Sequence, residues 1–582
     1  MKYENFTIAH NFTESATQVI EKTGLIGFAG LLSAAMRGVI KKILRRVFLL
    51  SMVFVLSGQV AAQSRGGDSA LLLVNGNMIT LDDQGSIADS VLIHRGRIVA
   101  VGDESGEVAS RAQVIDLGGR TVIPGLFDSH MHFIRATLRP GHDMRTIESA
   151  TSIDELLDAI RARAVTVPKG EWITAIGGWD PIQFLDENRF PTLAELNKAS
   201  PDHAFLIFLR ANGPAATNDL GKDLLGAGGI EVDQDGTIAQ GEHSIAAFEY
   251  LKSLQTEQDR RRAAIEFMHH ANSLGLTSIR DVAGTERPGA QLFEPDHDYD
   301  TILGLWRNGQ LTIRTRLMFM SWDEEIGDGT GSSNFEQRLR NSFARFGDEM
   351  LRVVGVGEHL VSNPRNPAFV QATRLAAQRG WPVEVHSSSP AENQAHIAAF
   401  EAAHEVAPIT DLRWSLTHVQ QITADIAQRL KALGGGVTVQ VHRYLNRGNL
   451  DNNQGGPPLR MLVDFGIPVG GGTDSTNAQP MNPWYSIYYM VSGKNVGGYA
   501  VNAGQELTRL EALRVYTLGS AWFSHDDDGL GSIEVGKFAD LAVLSDDYLT
   551  VEEEDIRNLY SVLTLLGGEI VYADPAALIR YR

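Results

Sequence analysis

Val122-Ile123-Pro124-Gly125-Leu126-Phe127-Asp128-Ser129-His130-Met131-His132-Phe133 reads as a strand that ends in a pair of histidines. Residues at i and i+2 of a strand project to the same side, so His130 and His132 can turn both imidazoles onto one divalent cation. Alone, His-x-His is a weak signal, because paired histidines on surface strands are common. Behind a Pro-Gly-Leu-x-Asp strand that opens a parallel barrel it becomes a strong one.

Outward from this stretch the chain alternates strand and helix patterns. With 122–123 as the first, further strand-like segments fall at 276–281, 313–318, 351–356, 382–385, 414–417, 437–441 and 467–470, most of them separated by helix-competent sequence. This order predicts an α/β fold, a (β/α)8 TIM barrel over residues 124–525, in preference to an open sheet. The interval from about 140 to 260 is too long for one helix and is expected to be an insertion that walls the substrate pocket. It carries Gly177-Gly178-Trp179-Asp180. Residues 70–123 and 526–582 are β-rich, with hairpin patterns such as 90–102 and 561–572. They are expected to assemble a small composite β-sandwich from both termini, with two separate β modules as the local alternative.

Three more polar residues end barrel strands: His386, His418 and Asp474. His386 and His418 stand 32 residues apart, which suits one βα unit, and 56 residues separate His418 from Asp474, which suits two. Active sites of such barrels collect at the C-terminal ends of the strands. Each histidine alone fits a core or surface role better than ligation. Together, in barrel order, four histidines and a carboxylate read as a site for one or two divalent metal ions, zinc first, with iron, manganese or nickel behind it.

The Pro-Gly-Leu-x-Asp-x-His-x-His segment, the three later strand-end residues and the split β-rich ends resemble the amidohydrolase superfamily. The insertion, Asn482-Pro483-Trp484, the segment Thr508-Arg509-Leu510-Glu511-Ala512-Leu513-Arg514 and the closing Gly531-Ser532-Ile533-Glu534-Val535-Gly536-Lys537-Phe538-Ala539-Asp540-Leu541 make the chain similar to the amidohydrolase-3 branch, the YtcJ-like enzymes that hydrolyse N-substituted amides. The resemblance runs over about residues 70–575 and is poorly specific for substrate. It implies that His130 and His132 bind the more buried metal beside Asp474, and that His386 and His418 hold a second metal or orient the scissile group. It also implies cleavage of a C–N bond in an amide-like, non-peptide substrate by metal-activated hydroxide, with Asp474 as general base and then general acid.

One position departs from the family pattern. Many members bridge two metals with a carboxylated lysine on the fourth barrel strand, and here no lysine occurs between Lys252 and Lys431. That strand runs into Gly357-Glu358-His359, so Glu358 is the natural substitute. A one-metal site, or Glu358 as an ordinary surface acid, are the alternatives. His359 joins the site if the register slips by one residue. A deaminase of this superfamily carries a glutamate three residues after the fifth-strand histidine. Ser389 stands there instead, which weighs against deamination.

Trp179, Asp180, His442, Arg443 and Trp484 are candidates for contact with substrate, each also readable as packing or loop residues. His269 and His270 read as surface or packing residues of a helix. Asp526-Asp527-Asp528 lacks the spacing of a calcium loop and reads as a solvated turn.

Composition bounds these readings. In 582 residues, 43% are hydrophobic and 21% charged, as in globular proteins, and no cysteine is present, which removes disulfides, thiol nucleophiles and Cys-ligated metals. The formal charge of −20 lacks the footprint of a nucleic-acid binder. Residues 36–62 carry five cations, a ten-residue apolar run broken only by Ser51, and a small-residue end, the pattern of a secretory signal peptide, with an uncleaved anchor as the alternative. Translation is then expected to begin at Met36, leaving residues 1–35 a non-native extension. The chain is expected to be exported, periplasmic or secreted, with a small-molecule substrate and no stable membrane association after signal removal; a homodimer is consistent with it. The rival readings are an exported small-molecule binding protein that has kept the barrel without catalysis, and a deaminase- or lactonase-type amidohydrolase.

Overall fold

The computed structural model describes residues 70–581 except 138, 210–212, 283–298, 324–325, 327–332, 362–366, 443, 446–455, 476–478 and 578. The expected extension 1–35, the signal 36–62 and Arg443 lie outside the described residues.

Eight short parallel strands form two four-stranded sheets. The first contains Leu126–Met131, Leu276–Asp281, Arg314–Phe319 and Leu351–Val356; the second contains Glu384–Ser387, Ser415–His418, Gly436–Val439 and Val469–Gly471. Leu126–Met131 and Leu276–Asp281 are buried along their whole length, which is why most of these segments read as apolar runs rather than as alternating patterns. Between the sheets, Val356 bridges Val383 in parallel and the His386 amide donates to the Glu358 carbonyl at 3.0 Å. At the opposite margin the Asp474 amide donates to the His130 carbonyl at 2.9 Å and the His132 amide to the Ser475 carbonyl at 2.7 Å. The ends of the first, fourth, fifth and eighth strands are thereby brought together.

The first strand of this set is Leu126–Met131, which corrects the expectation for 122–123. Thr121–Pro124 pairs antiparallel with Leu541–Leu544 and parallel with Asn77–Ile79. Pro124 has no N–H to extend a ladder, and at Gly125 a side chain would collide with Thr277, a Cβ there falling 2.2 Å from its Oγ1. Pro-Gly therefore splits one apolar run into two strands of different sheets. The six-stranded sheet that holds Thr121–Pro124 takes strands from both ends of the described chain, and residues from both ends share one apolar cluster around Leu73, Val122, Leu541 and Leu563.

Between the first and second parallel strands, His142–Asp143, Ile173–Ile176, Phe205–Phe208, Ala215–Thr217 and Thr237–Ile238 form a separate five-stranded sheet. It has its own core around Ile147, Trp179 and Phe205. Glu148 fastens this insertion to the chain beyond Asp474: Arg145 Nη1 donates to its Oε1 at 2.9 Å, and its Oε2 accepts from the Met481 amide at 2.7 Å.

Helices start where a side chain can take up their free amides. Thr256 and Asp259 form a capping box ahead of Glu257–Ser273, and Ser389 and Glu392 form one ahead of Pro390–His404. No helix among the described residues is long and apolar enough to cross a membrane. In the acidic run at 526–528, Asp528 is exposed in a turn as expected from sequence, but Asp526 and Asp527 are not merely solvated. Asp526 accepts from Arg316 Nε at 2.6 Å and from Arg352 Nη2 at 2.5 Å, and Asp527 from Arg413 Nη1 at 2.7 Å.

Candidate metal centre

His130 is fully buried, and its two ring nitrogens meet different surroundings. Nδ1 lies 2.7 Å from Glu384 Oε1. Nε2 has no hydrogen-bond partner and stands 3.5 Å from Glu358 Oε2 and 3.7 Å from Asp474 Oδ1. An imidazole whose Nδ1–H is given to a buried carboxylate presents its other nitrogen to the cluster, the usual way a metal-binding histidine is oriented. His132, two residues on, puts Nε2 3.2 Å from Asp474 Oδ1.

Glu358 lies at the centre of the remaining histidines and is only 8% exposed, so it is no surface acid. Its Oε2 is 3.4 Å from both His386 Nδ1 and His418 Nε2, and its Oε1 is 3.5 Å from His359 Nε2. Among the described residues the donor atoms form four overlapping triads: His130, Glu358 and His418; His130, His132 and Asp474; Glu358, His359 and His386; His418, His442 and Asp474.

The spacing tests whether these residues suit a metal. Hydrogen bonds would bring such nitrogens and oxygens to about 2.7–3.2 Å, whereas two donors each about 2.1 Å from a tetrahedral ion stand about 3.4 Å apart. The contacts of Glu358 at 3.4–3.5 Å and of His130 at 3.5 and 3.7 Å match the second figure. Two contacts of Asp474 are shorter: His132 Nε2 stands 3.2 Å from Oδ1, and His442 Nε2 stands 3.0 Å from Oδ2, a hydrogen bond. The residues present therefore fit a divalent cation.

The buried carboxylates and imidazoles shift one another's titration. Burial raises the pKa of Glu358 and of Asp474, but His359, His386 and His418 around the first, and His130, His132 and His442 around the second, outweigh it and hold both carboxyls well below the usual range. For His130 burial favours the neutral ring, yet Asp474 and Glu384 overcome it and raise the pKa to about 10. His418, dominated by burial, falls to about 4.

A buried polar layer supports the cluster from below. Glu384 accepts from Ser415 Oγ at 2.9 Å and Thr438 Oγ1 at 3.1 Å and pairs with Arg280, whose Nε donates to the Ser129 carbonyl at 2.7 Å. Burial raises its pKa, but Arg280 and His130 bring it to about 2. Asp128 accepts from the His130 amide at 3.0 Å and from Thr473 Oγ1 at 2.5 Å. Glu384 is the supporting residue that the sequence reading missed. The signal was its place two residues before His386 in a buried strand, where both side chains share one face.

Of the substrate candidates among the described residues, only His442 lies at the cluster. Trp179 packs on Phe184 and Phe190 and donates Nε1–H to the Phe208 carbonyl at 3.1 Å, and Trp484 donates to the Leu274 carbonyl at 3.0 Å beside Tyr548. Both are fully buried, in keeping with the packing alternative of their sequence reading. Asp180 caps the short 3-10 helix Pro181–Gln183, accepting from the Ile182 amide. Ser389 is occupied as the helix cap. His269 packs edge-on against Tyr572, as a packing residue does.

The model of the Amidohydrolase family matches residues 113–572. The chain is similar, at 25% identity over 548 residues, to the N-substituted formamide deformylase of Arthrobacter pascens, the match covering 86% of this chain and 98% of that one. It is also similar, at 22% identity over 544 residues, to the putative amidohydrolase YtcJ of Bacillus subtilis (strain 168), with 85% and 98% covered. Among solved structures, an uncharacterized metal-dependent hydrolase from Pyrococcus horikoshii OT3 superposes with a TM-score of 0.56 at 22% identity, over 84% of this chain and 99% of that chain. The likeness is one of fold, an α/β architecture of the TIM-barrel type.

Proposed function

The chain belongs to the amidohydrolase family, and on that premise we propose that this metal-dependent hydrolase cleaves a C–N bond of an amide-like, non-peptide substrate. The observation that carries the reading is His130: one nitrogen is anchored on Glu384 and the other, without a hydrogen-bond partner, faces Glu358 and Asp474 at metal-donor spacing. His130, His132 and Asp474 would hold one divalent cation, and Glu358, His386 and His418 would complete its surroundings or hold a second. The cation, zinc first for this nitrogen and oxygen donor set, would polarise the carbonyl and activate water near neutral pH.

Asp474 is the general base. Its carboxyl stays ionised among three imidazoles, and His442 fixes Oδ2 at 3.0 Å while Oδ1 faces His132 and His130. It accepts the proton of the attacking water and returns it to the leaving nitrogen. N-substituted formamides, the compounds for which the Arthrobacter relative is named, are the first substrates to try. We take residues 124–525 as the hydrolase barrel, a reading supported by the bridges at both margins of the two parallel sheets. Residues 70–123 and 526–582 are taken as one composite β-sandwich, and the protein as exported, acting on a small molecule.

The test is metal content by elemental analysis of protein purified without chelators, together with formate release from N-substituted formamides and amine release from longer amides. Bound metal with turnover that a chelator abolishes supports the reading. Protein that takes up no metal when supplied with it, and turns over none of these amides, would instead be a binding protein.

A further inference from the structure

We infer that His359 is a metal ligand, completing with Glu358 and His386 an outer metal position beside the inner one of His130, His132 and Asp474. The inference rests on the metal-dependent reading above and assigns it a second ion.

The two oxygens of Glu358 face different donor sets. Oε2 stands 3.4–3.5 Å from His130, His386 and His418, while Oε1 stands 3.5 Å from His359. With Oε2 shared between His130 and His386 and Oε1 turned to His359, this carboxylate can bridge an inner and an outer cation, the task for which no lysine is present on this strand. His359 keeps the spacing of a co-ligand rather than of a hydrogen-bond partner, in contrast to His442 on Asp474 at 3.0 Å. Its ring is also held in one orientation. It stacks on Trp322 at 4.2 Å between ring centroids and nearly parallel to His386 at 5.4 Å, and its carbonyl accepts from the Ser321 amide at 2.9 Å. Two imidazoles and a carboxylate oxygen leave an open coordination position for water or substrate, as catalytic sites require. His359 is 22% exposed and His386 37%, so this position lies toward solvent, whereas His130 and His132 are buried.

The competing role for His359 is packing alone, as a shelf between Trp322 and His386. His359→Phe keeps the stack and removes the nitrogen donor; His359→Gln keeps a polar side chain and removes the ring. Metal-free wild type and both variants are loaded with Co(II) and with Zn(II), and bound metal, affinity and the visible Co(II) spectrum are measured. Equal melting temperatures of the metal-free forms establish that a variant is folded. The expected result is two equivalents in the wild type, with the first retained in both variants. The second weakens at least tenfold, and its spectral bands change. Two equivalents of wild-type affinity and spectrum in His359→Phe would overturn the assignment. So would a single equivalent in the wild type, an outcome that leaves the hydrolase reading standing provided amide turnover persists. Absence of both metal and turnover removes the two readings together.

Discussion

Glu384 Oε1 lies 2.7 Å from His130 Nδ1, between two side chains with no exposed surface, and this contact decides which nitrogen of His130 faces the cluster. The carboxylate is itself held by Arg280, Ser415 and Thr438. Glu384→Gln keeps the shape but weakens the anchor, and metal affinity is expected to fall about 10–100-fold, read by competition with a chelator. Glu384→Ala in addition leaves Arg280 buried without its carboxylate. That loss costs about 3–5 kcal/mol and appears as a lower denaturant midpoint even in metal-free protein. Unchanged metal affinity in Glu384→Gln would remove Glu384 from the metal's support.

Metal uptake is expected to release protons. Burial opposes charge on His130, yet Asp474 and Glu384 raise its pKa to about 10, so the metal-free chain holds that proton through neutral pH. Ligation needs the neutral ring, so metal affinity falls as pH drops below about 10, by about tenfold per unit for one proton. The raised pKa also stabilises the metal-free fold: the contribution is fully present below the unfolded value near 6.5 and is lost as pH rises through about 10. Calorimetry of Zn(II) binding in buffers of different ionisation enthalpy counts the protons. A count of zero at pH 8 contradicts the assignment of His130 as a ligand.

The parts legible in the sequence are those in which local pattern and chemistry coincide. His130 and His132 share a face because of the two-residue strand period, and His386, His418 and Asp474 close strand patterns; the structure gathers all five, with Glu358, into overlapping triads. Glu384 and Asp526 were not legible because their partners are remote. Arg280 comes from the second parallel strand, and Arg316 and Arg352 from the third and fourth, so only strand register brings the pairs together. The split of 121–131 into two strands turned on Pro124-Gly125, inside what reads as one apolar run. Trp179 beside two glycines and Trp484 in a helix start look the same in sequence whether they line a cavity or fill a core.

Trp179 and Trp484 should therefore matter to stability and not to substrate. Replacement by Ala empties a large buried volume at about 3–5 kcal/mol, while Phe retains most of the packing and loses one buried hydrogen bond, about 1 kcal/mol. Denaturation midpoints should fall in that order, with KM for an accepted amide unchanged. A KM several-fold higher in Trp179→Phe at full stability would return Trp179 to the pocket wall.

His442 and Asp474 should separate in their pH behaviour. Asp474→Asn removes the base and should lower kcat by about 10²–10⁴-fold, with a smaller effect on KM. His442→Phe leaves the carboxylate in place but takes away the 3.0 Å bond to Oδ2. Burial already raises the pKa of Asp474, and His442 is one of the three imidazoles that hold it down, so the pKa must climb when His442 is lost. The acid limb of kcat/KM should therefore move to higher pH, while the rate on the plateau stays within about tenfold of wild type. An acid limb that does not move in His442→Phe would mean that a group other than Asp474 sets it.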